Sequence, residues 1–281
     1  MTEIGFIGLG HMGLPMALNL LKSGEKLWIY DLNFQALEQA TIAGATRTST
    51  TIDAATGRDM VITVLPDSAQ VQDVYLGKLG LLEQIQSPTL FIECSTIDIA
   101  TCRAVHIAAA RRGHRFVDAP MSGGVMGAKN ATLTFMVGGA EEHFQECLPL
   151  LLLMGKNIFH AGDATHGIAA KICNNLMLGI HMIATSEAFI LAQQLGLSPK
   201  KLYEISSVSS GASWSLNTYC PAPGVLPQTP SSNNYKAGFT ATMMLKDLTL
   251  AATAAAEIKS SLPMTHAAKD IYQAFYAIYK H

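Results

Sequence analysis

The sequence predicts an α/β protein with a parallel-sheet N-terminal domain over residues 1–163 and an all-α C-terminal domain over residues 164–281, joined by a long helix. Three observations predict it. Short β-like runs alternate with helical stretches through the first half, the pattern of βαβ units. A glycine-rich loop follows the first of those runs, where such a unit turns into its first helix. After about Gly162 the texture changes to helical stretches with no convincing strand between them.

Strands are expected at 4–9, 27–31, 60–65, 90–95 and 116–119, each a short apolar run bounded by turn residues. Helices are expected at 12–23, 34–43 and 99–112, and Gly24 and Gly44 stand where the first two would use a C-terminal cap. Parallel strands joined in this way cross over right-handedly and build a doubly wound sheet. In the second half, 165–195 reads as one long helix, followed by helical stretches at 200–207, 243–256 and 264–278. Pro221, Pro223, Pro227 and Pro230 make 220–234 an irregular loop. No repeat of fixed period interrupts this plan.

Composition narrows the function. Charged residues are 14% of the chain against a usual share of about 25%, so surface is expected to be buried against copies of the same chain, as a homodimer or homotetramer. Lys and Arg number 19 against 21 Asp and Glu, with no basic run, which argues against a nucleic-acid partner. The five cysteines are scattered and form no C-x-x-C pair. Reduced thiols, no metal site and a cytoplasmic location are therefore expected. No histidine pairing of the H-x-x-x-H kind points to a metal either. The N-terminus shows neither a basic, apolar secretory leader nor an Arg/Ser-rich transit segment. The apolar stretch 169–191 carries Lys171, Asn174, Asn175, His181 and Glu187, too many polar groups for a bilayer span. It is read as a helix buried in protein, and no membrane partner is expected.

Gly8-Leu9-Gly10-His11-Met12-Gly13 fits G-x-G-x-x-G between a predicted strand and a predicted helix, the Rossmann arrangement. Gly8 would permit the tight turn, Gly10 the approach of a pyrophosphate to the backbone, and Gly13 close helix–strand packing. Asp31 lies 18 residues beyond Gly13 at the end of the next strand, placed to accept from an adenosine ribose 2′-OH. A carboxylate there repels a 2′-phosphate, so NAD is the expected cofactor.

Four motifs occur in a fixed order. They are Gly5-Phe6-Ile7-Gly8-Leu9-Gly10-His11-Met12-Gly13, Asp118-Ala119-Pro120-Met121-Ser122-Gly123-Gly124, Gly167 with Lys171 and Asn175, and Lys246-Asp247-Leu248. With them the chain resembles the β-hydroxyacid dehydrogenase family over nearly its whole length. Cys220-Pro221-Ala222-Pro223-Gly224-Val225 and Asn233-Asn234-Tyr235 look like its 3-hydroxyisobutyrate branch. Members of the family usually continue past the position of His281.

The resemblance implies NAD-dependent oxidation of 3-hydroxyisobutyrate to methylmalonate semialdehyde, a step of valine breakdown. Lys171 would be the acid/base and Asn175, four residues on and on the same helix face, would hold the substrate. From spacing alone a Lys and an Asn at this interval make a solvated stripe. The apolar neighbours Ile168, Ala169, Ala170, Ile172, Leu176 and Met177 argue against solvation. Gly167, one turn earlier, is expected to leave room for a ligand. A free lysine titrates near ~10.4, so burial and a positive neighbour, Lys246 or the oxidised nicotinamide, would have to lower it.

Ser122, Gly123 and Gly124 offer a hydroxyl and exposed backbone N–H groups to a substrate carboxylate. By resemblance His11, Met12, Leu65, Pro66, Gln70, Thr96 and Lys246 line the cofactor, and Trp214 and Phe239 wall the substrate. From spacing alone Lys246 would be a surface charge, and Trp214 and Phe239 could equally be core or interface aromatics. Tartronate semialdehyde/glycerate and 4-hydroxybutyrate chemistry share all four motifs and are the alternatives. A non-catalytic cofactor-binding scaffold would have no reason to keep Lys171, and imine-reducing relatives typically replace it.

Overall fold

The computed structural model describes residues 2–236 and 238–279. The chain forms two compact units, Met1–Lys171 and Ile172–His281.

The first unit begins with β1 (Glu3–Ile7), α1 (Gly13–Lys22), β2 (Lys26–Tyr30), α2 (Phe34–Ile42), β3 (Thr46–Arg47) and α3 (Thr51–Ala55). It continues through β4 (Met60–Thr63), α4 (Ser68–Leu76), α5 (Leu81–Gln84), β5 (Leu90–Glu93), α6 (Ile99–Arg111) and β6 (Arg115–Asp118). Last come β7 (Met121–Ser122), α7 (Gly124–Lys129), β8 (Leu133–Gly138), α8 (Glu141–Leu152) and β9 (Gly155–Gly162). The sheet order is β3-β2-β1-β4-β5-β6-β8-β7, with β9 on β8. Strands β1 to β6 pair in parallel, and the order reverses direction between β1 and β4. Open α/β sheets bind ligands beyond the carboxyl ends of the strands at such a reversal.

Strands β4 and β5 are buried at every position, as parallel strands covered by helices on both faces must be. Ile4, Phe6, Leu20, Ile29, Ile62, Ile92 and Phe135 belong to one core cluster. The expected helix ends hold, since Gly24 and Gly44 adopt φ of +88° and +109° just past α1 and α2. Asn33, Thr50, Asp67 and Asp98 cap the N-termini of α2, α3, α4 and α6 through their side chains.

One expectation is corrected at the far edge of the sheet, which is not parallel throughout. The chain runs on from β6 through Ala119-Pro120 into β7, and after α7 it returns as β8, which pairs antiparallel with both β6 and β7 in one register. Neither β8 nor β9 was expected from the sequence.

The second unit contains most of α9 (His166–Gln194), then α10 (Pro199–Ser206), α11 (Trp214–Asn217), a 3₁₀ turn at Pro230–Ser232, α12 (Ala241–Glu257) and α13 (Pro263–Ile278). As expected, the proline-rich stretch is otherwise irregular. Met244, Leu248 and Ala268 form a core against which Leu178, Ile180, Ile183, Phe239 and Tyr272 pack. The reading of α9 as a helix buried in protein is corrected, because within this chain only 22% of its most apolar window is buried. Length and composition would let α9 cross a bilayer, yet its Asn175 amide bonds the carboxylate of Asp247 on α12, a helix of the same folded unit. Met177, Ile190 and Leu191 on α9, and Phe275 on α13, are exposed. A helix this apolar on several faces needs partners on several sides.

Candidate active site

Three glycines shape the loop between β1 and α1 for different reasons. A Cβ on Gly8, at φ +96°, would sit 2.2 Å from the Val64 carbonyl oxygen of the strand order's neighbouring segment. On Gly13 it would sit 2.0 Å from the Gly8 carbonyl. Both are demanded by the chain folding on itself. Gly10 has no atom of the protein within 4 Å of that position, so the open cradle beside its backbone fits an approaching phosphate. The N-terminus of α1 has no side-chain cap and no acidic residue in its first turn, leaving its N–H groups for an anion. His11 is exposed on this loop and Met12 half-buried.

Asp31 is tied to the same loop. Its Oδ2 accepts the Leu9 backbone N–H and its Oδ1 accepts that of Asn33 at 2.6 Å. A carboxylate offers about four lone-pair sites, so two remain for hydroxyls. Leu32 beside it is 91% exposed. Pairing of β3 with β2 also brings in Arg47, which no sequence neighbour of Asp31 announces, and its guanidinium lies 5.0 Å from the Phe34 ring centre.

At the ends of β4 and β5, the Leu65 N–H donates to Ser95 Oγ at 2.7 Å, so Leu65-Pro66 lies against the strand that leads into Thr96. Pro66 is exposed, Thr96 half-buried, and Gln70 is exposed in the first turn of α4, its N–H capped by Asp67. Beneath them Glu93 is fully buried, accepting from Thr63 Oγ1 and from the Ser95 N–H at 2.6 Å, while Tyr75 donates to Thr63.

Burial pushes the Glu93 carboxyl up from 4.5 to about 7, with the negative charge of Asp118 a smaller contribution in the same direction. A folded-state value above the unfolded one means that the native protein holds this proton more tightly. That stability is fully present below 4.5 and is lost as pH rises to about 7. The full shift corresponds to about 3 kcal/mol. Glu93→Gln should flatten the decline, so urea midpoints of variant and parent should diverge between pH 5 and 7.5. An offset equal at both pH values would show that Glu93 does not titrate in this window.

Ser122, in β7, is half-buried. Gly123 and Gly124 follow at φ +130° and +63°, conformations that exclude side chains and leave both residues exposed. A hydroxyl and open backbone together suit a carboxylate.

Lys171 is 7% exposed on α9. The helix carrying it is capped from another element. Buried Asp118 accepts the Thr165 N–H on Oδ1 at 2.9 Å and the Ile168 N–H on Oδ2 at 2.8 Å, and meets His106 Nε2 at 2.6 Å. The expectation that Gly167 leaves room for a ligand is corrected. A Cβ there would lie 2.3 Å from the Met136 carbonyl and 2.6 Å from that of Asp118, so Gly167 lets the helix seat on the sheet.

Among the described residues, Cys102, His106 and Asp118 form the one grouping whose ligand atoms all lie within 4.8 Å of one another. Both Asp118 oxygens already serve backbone N–H groups, and burial, helped by the Asp118 charge, pushes the Cys102 thiol well up. This is capping chemistry rather than a metal centre.

In the second unit, Asn175 Nδ2 donates to Asp247 Oδ2 at 2.5 Å, and Asn175 Oδ1 accepts from Asn174 at 2.9 Å. Lys246 Nζ lies 3.6 Å from Asp247 Oδ1. Asp247 is therefore a site residue that sequence reasoning passed over, although the Lys246-Asp247-Leu248 motif contains it. Tyr219 brings the two expected aromatics together. Trp214, 46% exposed, stacks on it with centroids 5.1 Å apart, and the Phe239 N–H donates to its hydroxyl at 3.0 Å. Phe239 also packs on the Met244/Leu248 core, so it is partly a core residue.

Residues 3–162 match the family described as the NAD binding domain of 6-phosphogluconate dehydrogenase. Residues 165–281 match that described as NAD-binding of NADP-dependent 3-hydroxyisobutyrate dehydrogenase. An NAD-dependent L-serine dehydrogenase of Pseudomonas aeruginosa is 48% identical over 97% of this chain and 92% of its own length. A 3-hydroxyisobutyrate dehydrogenase of the same organism is 46% identical over 97% and 91%. The solved structure of Mycobacterium tuberculosis 3-hydroxyisobutyrate dehydrogenase with L-serine superposes with a TM-score of 0.92 at 41% identity, covering 99% of this chain and 94% of that one.

Fold, glycine loop and relatives define an oxidoreductase that uses a nicotinamide cofactor. The chain belongs to the β-hydroxyacid dehydrogenase family.

Proposed function

We propose that this enzyme oxidises 3-hydroxyisobutyrate to methylmalonate semialdehyde with NAD, as a step of valine breakdown, with Lys171 taking the hydroxyl proton. The observation that carries the reading is Lys171 itself, an amine held almost out of solvent on a helix capped by a buried carboxylate. Charged groups held this far from solvent cluster at functional sites. In this reading residues 1–163 serve the dinucleotide and residues 164–281 the substrate and self-association.

A nicotinamide cofactor, when bound, would supply the hydride acceptor for the carbinol carbon. Lys171 Nζ accepts the hydroxyl proton as the C–O bond becomes a carbonyl, and returns it in the reverse direction. Asn175 has one amide N–H and one lone-pair site left after its bonds to Asp247 and Asn174, enough to hold the substrate hydroxyl in line. Ser122, Gly123 and Gly124 receive the substrate carboxylate. Gly8, Gly10, His11, Met12, Gly13 and Asp31 hold the adenosine diphosphate side, with Leu65, Pro66, Gln70, Thr96 and Lys246 completing the cofactor contacts. Trp214 and Phe239 supply apolar walls.

A panel of short hydroxy acids, scored by formation of reduced cofactor, tests the reading. Activity on 3-hydroxyisobutyrate at least about tenfold above glycerate and 4-hydroxybutyrate is expected, a difference of about 1.4 kcal/mol in transition-state binding. L-serine is the second reading, favoured by the 48% identical relative named for it. It shares the 3-hydroxy carboxylate core and replaces the methyl by an ammonium, so a higher kcat/KM on L-serine would reassign the substrate and leave the proton-transfer chemistry intact.

We also propose a cytoplasmic homodimer or homotetramer. The five scattered cysteines form no disulfide, and the exposed apolar residues on α9 and α13 support self-association. Sedimentation at micromolar concentration should give a multiple of 30.0 kDa, and a single 30.0 kDa species would overturn the assembly.

A further inference from the structure

We infer that Asp118, braced by His106, is the positioning residue that sets where Lys171 points. This rests on the reading of Lys171 as the proton-transfer group, and adds a residue from a different strand that touches neither substrate nor cofactor.

Asp118 ends β6 and is fully buried. Its two oxygens divide between the N–H of Thr165, just before α9, at 2.9 Å and that of Ile168, in the first turn of α9, at 2.8 Å. Holding both N–H groups fixes the helix in translation and in rotation, whereas a single bond would leave it free to roll. Lys171 is three residues past Ile168, one turn along the same face. A slip of one residue at the clamp would swing it by about 100° around the helix axis. The negative charge sits where the helix dipole favours it.

The surroundings are shaped for this carboxylate. A Cβ on Gly138 would lie 2.7 and 2.8 Å from its two oxygens, and one on Gly167 would lie 2.8 Å from Oδ2. Only glycine at both positions lets the carboxylate reach the helix end. Thr165 is held at φ +76°, a left-handed conformation unfavourable for a β-branched residue, and the bond it donates to Asp118 holds it there. His106, on α6, closes the other side of Oδ1 at 2.6 Å and rests edge-on against Phe116, ring centroids 4.6 Å apart. Because Ser122 follows only four residues after Asp118, one strand end ties together the proposed carboxylate loop and the lysine-bearing helix.

The test is a double-mutant cycle on the full-length enzyme, with Asp118→Asn and Lys171→Ala singly and together. It is read by the hydride-transfer rate, by NAD affinity from fluorescence and by the thermal midpoint. Asp118→Asn keeps one acceptor and loses the second, so kcat should fall by about 10- to 100-fold with NAD affinity within about twofold of the parent. In the Lys171→Ala background the same change should cost less than about twofold, because there is no lysine left to aim. An equal loss in both backgrounds, or a parent-like kcat for Asp118→Asn when Lys171→Ala is crippled, would overturn the positioning role. A Lys171→Ala enzyme that keeps its rate would instead remove the reading beneath it. If Asp118→Asn does not fold, the same cycle is run with His106→Leu, and His106→Gln, which retains a donor toward Asp118, should restore the rate. Loss in His106→Leu that His106→Gln does not restore would count against the brace.

Discussion

Replacing Lys171 by alanine is expected to leave a folded protein that binds NAD as before and turns over roughly 10²–10⁴-fold more slowly, the usual contribution of a positioned proton-transfer group. The fold should persist because alanine is the best helix former and α9 is held at its start by Asp118, not by the lysine. The loss should fall on kcat rather than on KM, since the amine acts as the O–H bond breaks. Circular dichroism and cofactor fluorescence check the first half of the statement, and rates with 3-hydroxyisobutyrate check the second. More than about a third of the parent turnover, well short of the losses proton-transfer groups normally cause, would show that another group moves the proton.

The second large effect concerns the choice between NAD and NADP. Asp31 is fixed by the Leu9 and Asn33 N–H groups, so its charge cannot swing away from a 2′-phosphate. Like-charge juxtaposition can cost several kcal/mol, enough for ~100-fold discrimination at ~1.4 kcal/mol per decade. Arg47, brought alongside by the pairing of β3 with β2, supplies a cation on the neighbouring strand. Removing the carboxylate and adding a guanidinium, as in Asp31→Ser with Leu32→Arg, should therefore narrow or invert the preference. The exposed position of Leu32 makes the second change sterically cheap. Comparable kcat/KM for both cofactors in the parent enzyme would mean that Asp31 serves only as a loop clamp, and the assignment of the ribose site would fall with it.

Much of the nucleotide-binding unit was legible in the chain because its signals are local. Alternating apolar runs mark β1, β2, β4, β5 and β6, and Gly24 and Gly44 mark helix ends through conformations that side chains disfavour. The glycine loop and Asp31 could be read together because a βαβ unit fixes the distance between them. The burial of Lys171 was also readable from its apolar neighbours Ile168, Ile172 and Leu176, although α9 exposes another side at Cys173 and Met177. The antiparallel edge was not readable. Leu133–Gly138 looks like any short apolar run, and only the reversal through α7 decides that it returns along β7 and β6.

The sequence by itself determined β1, β2, β4, β5 and β6, the place of the glycine loop and which lysine is kept from water, since periodicity, backbone conformation and burial cost all act over a few residues. Tertiary structure alone decided the partners. It set Asp118 on N–H groups 47 and 50 residues away, Asp247 on Asn175 across 72 residues, and Arg47 beside the strand of Asp31. It also gave Gly167 its purpose, a close approach of helix to sheet rather than space for a ligand. Hydrogen bonds and steric contacts of this range depend on how the layers pack, and a motif names the residue type without naming the atom that will meet it.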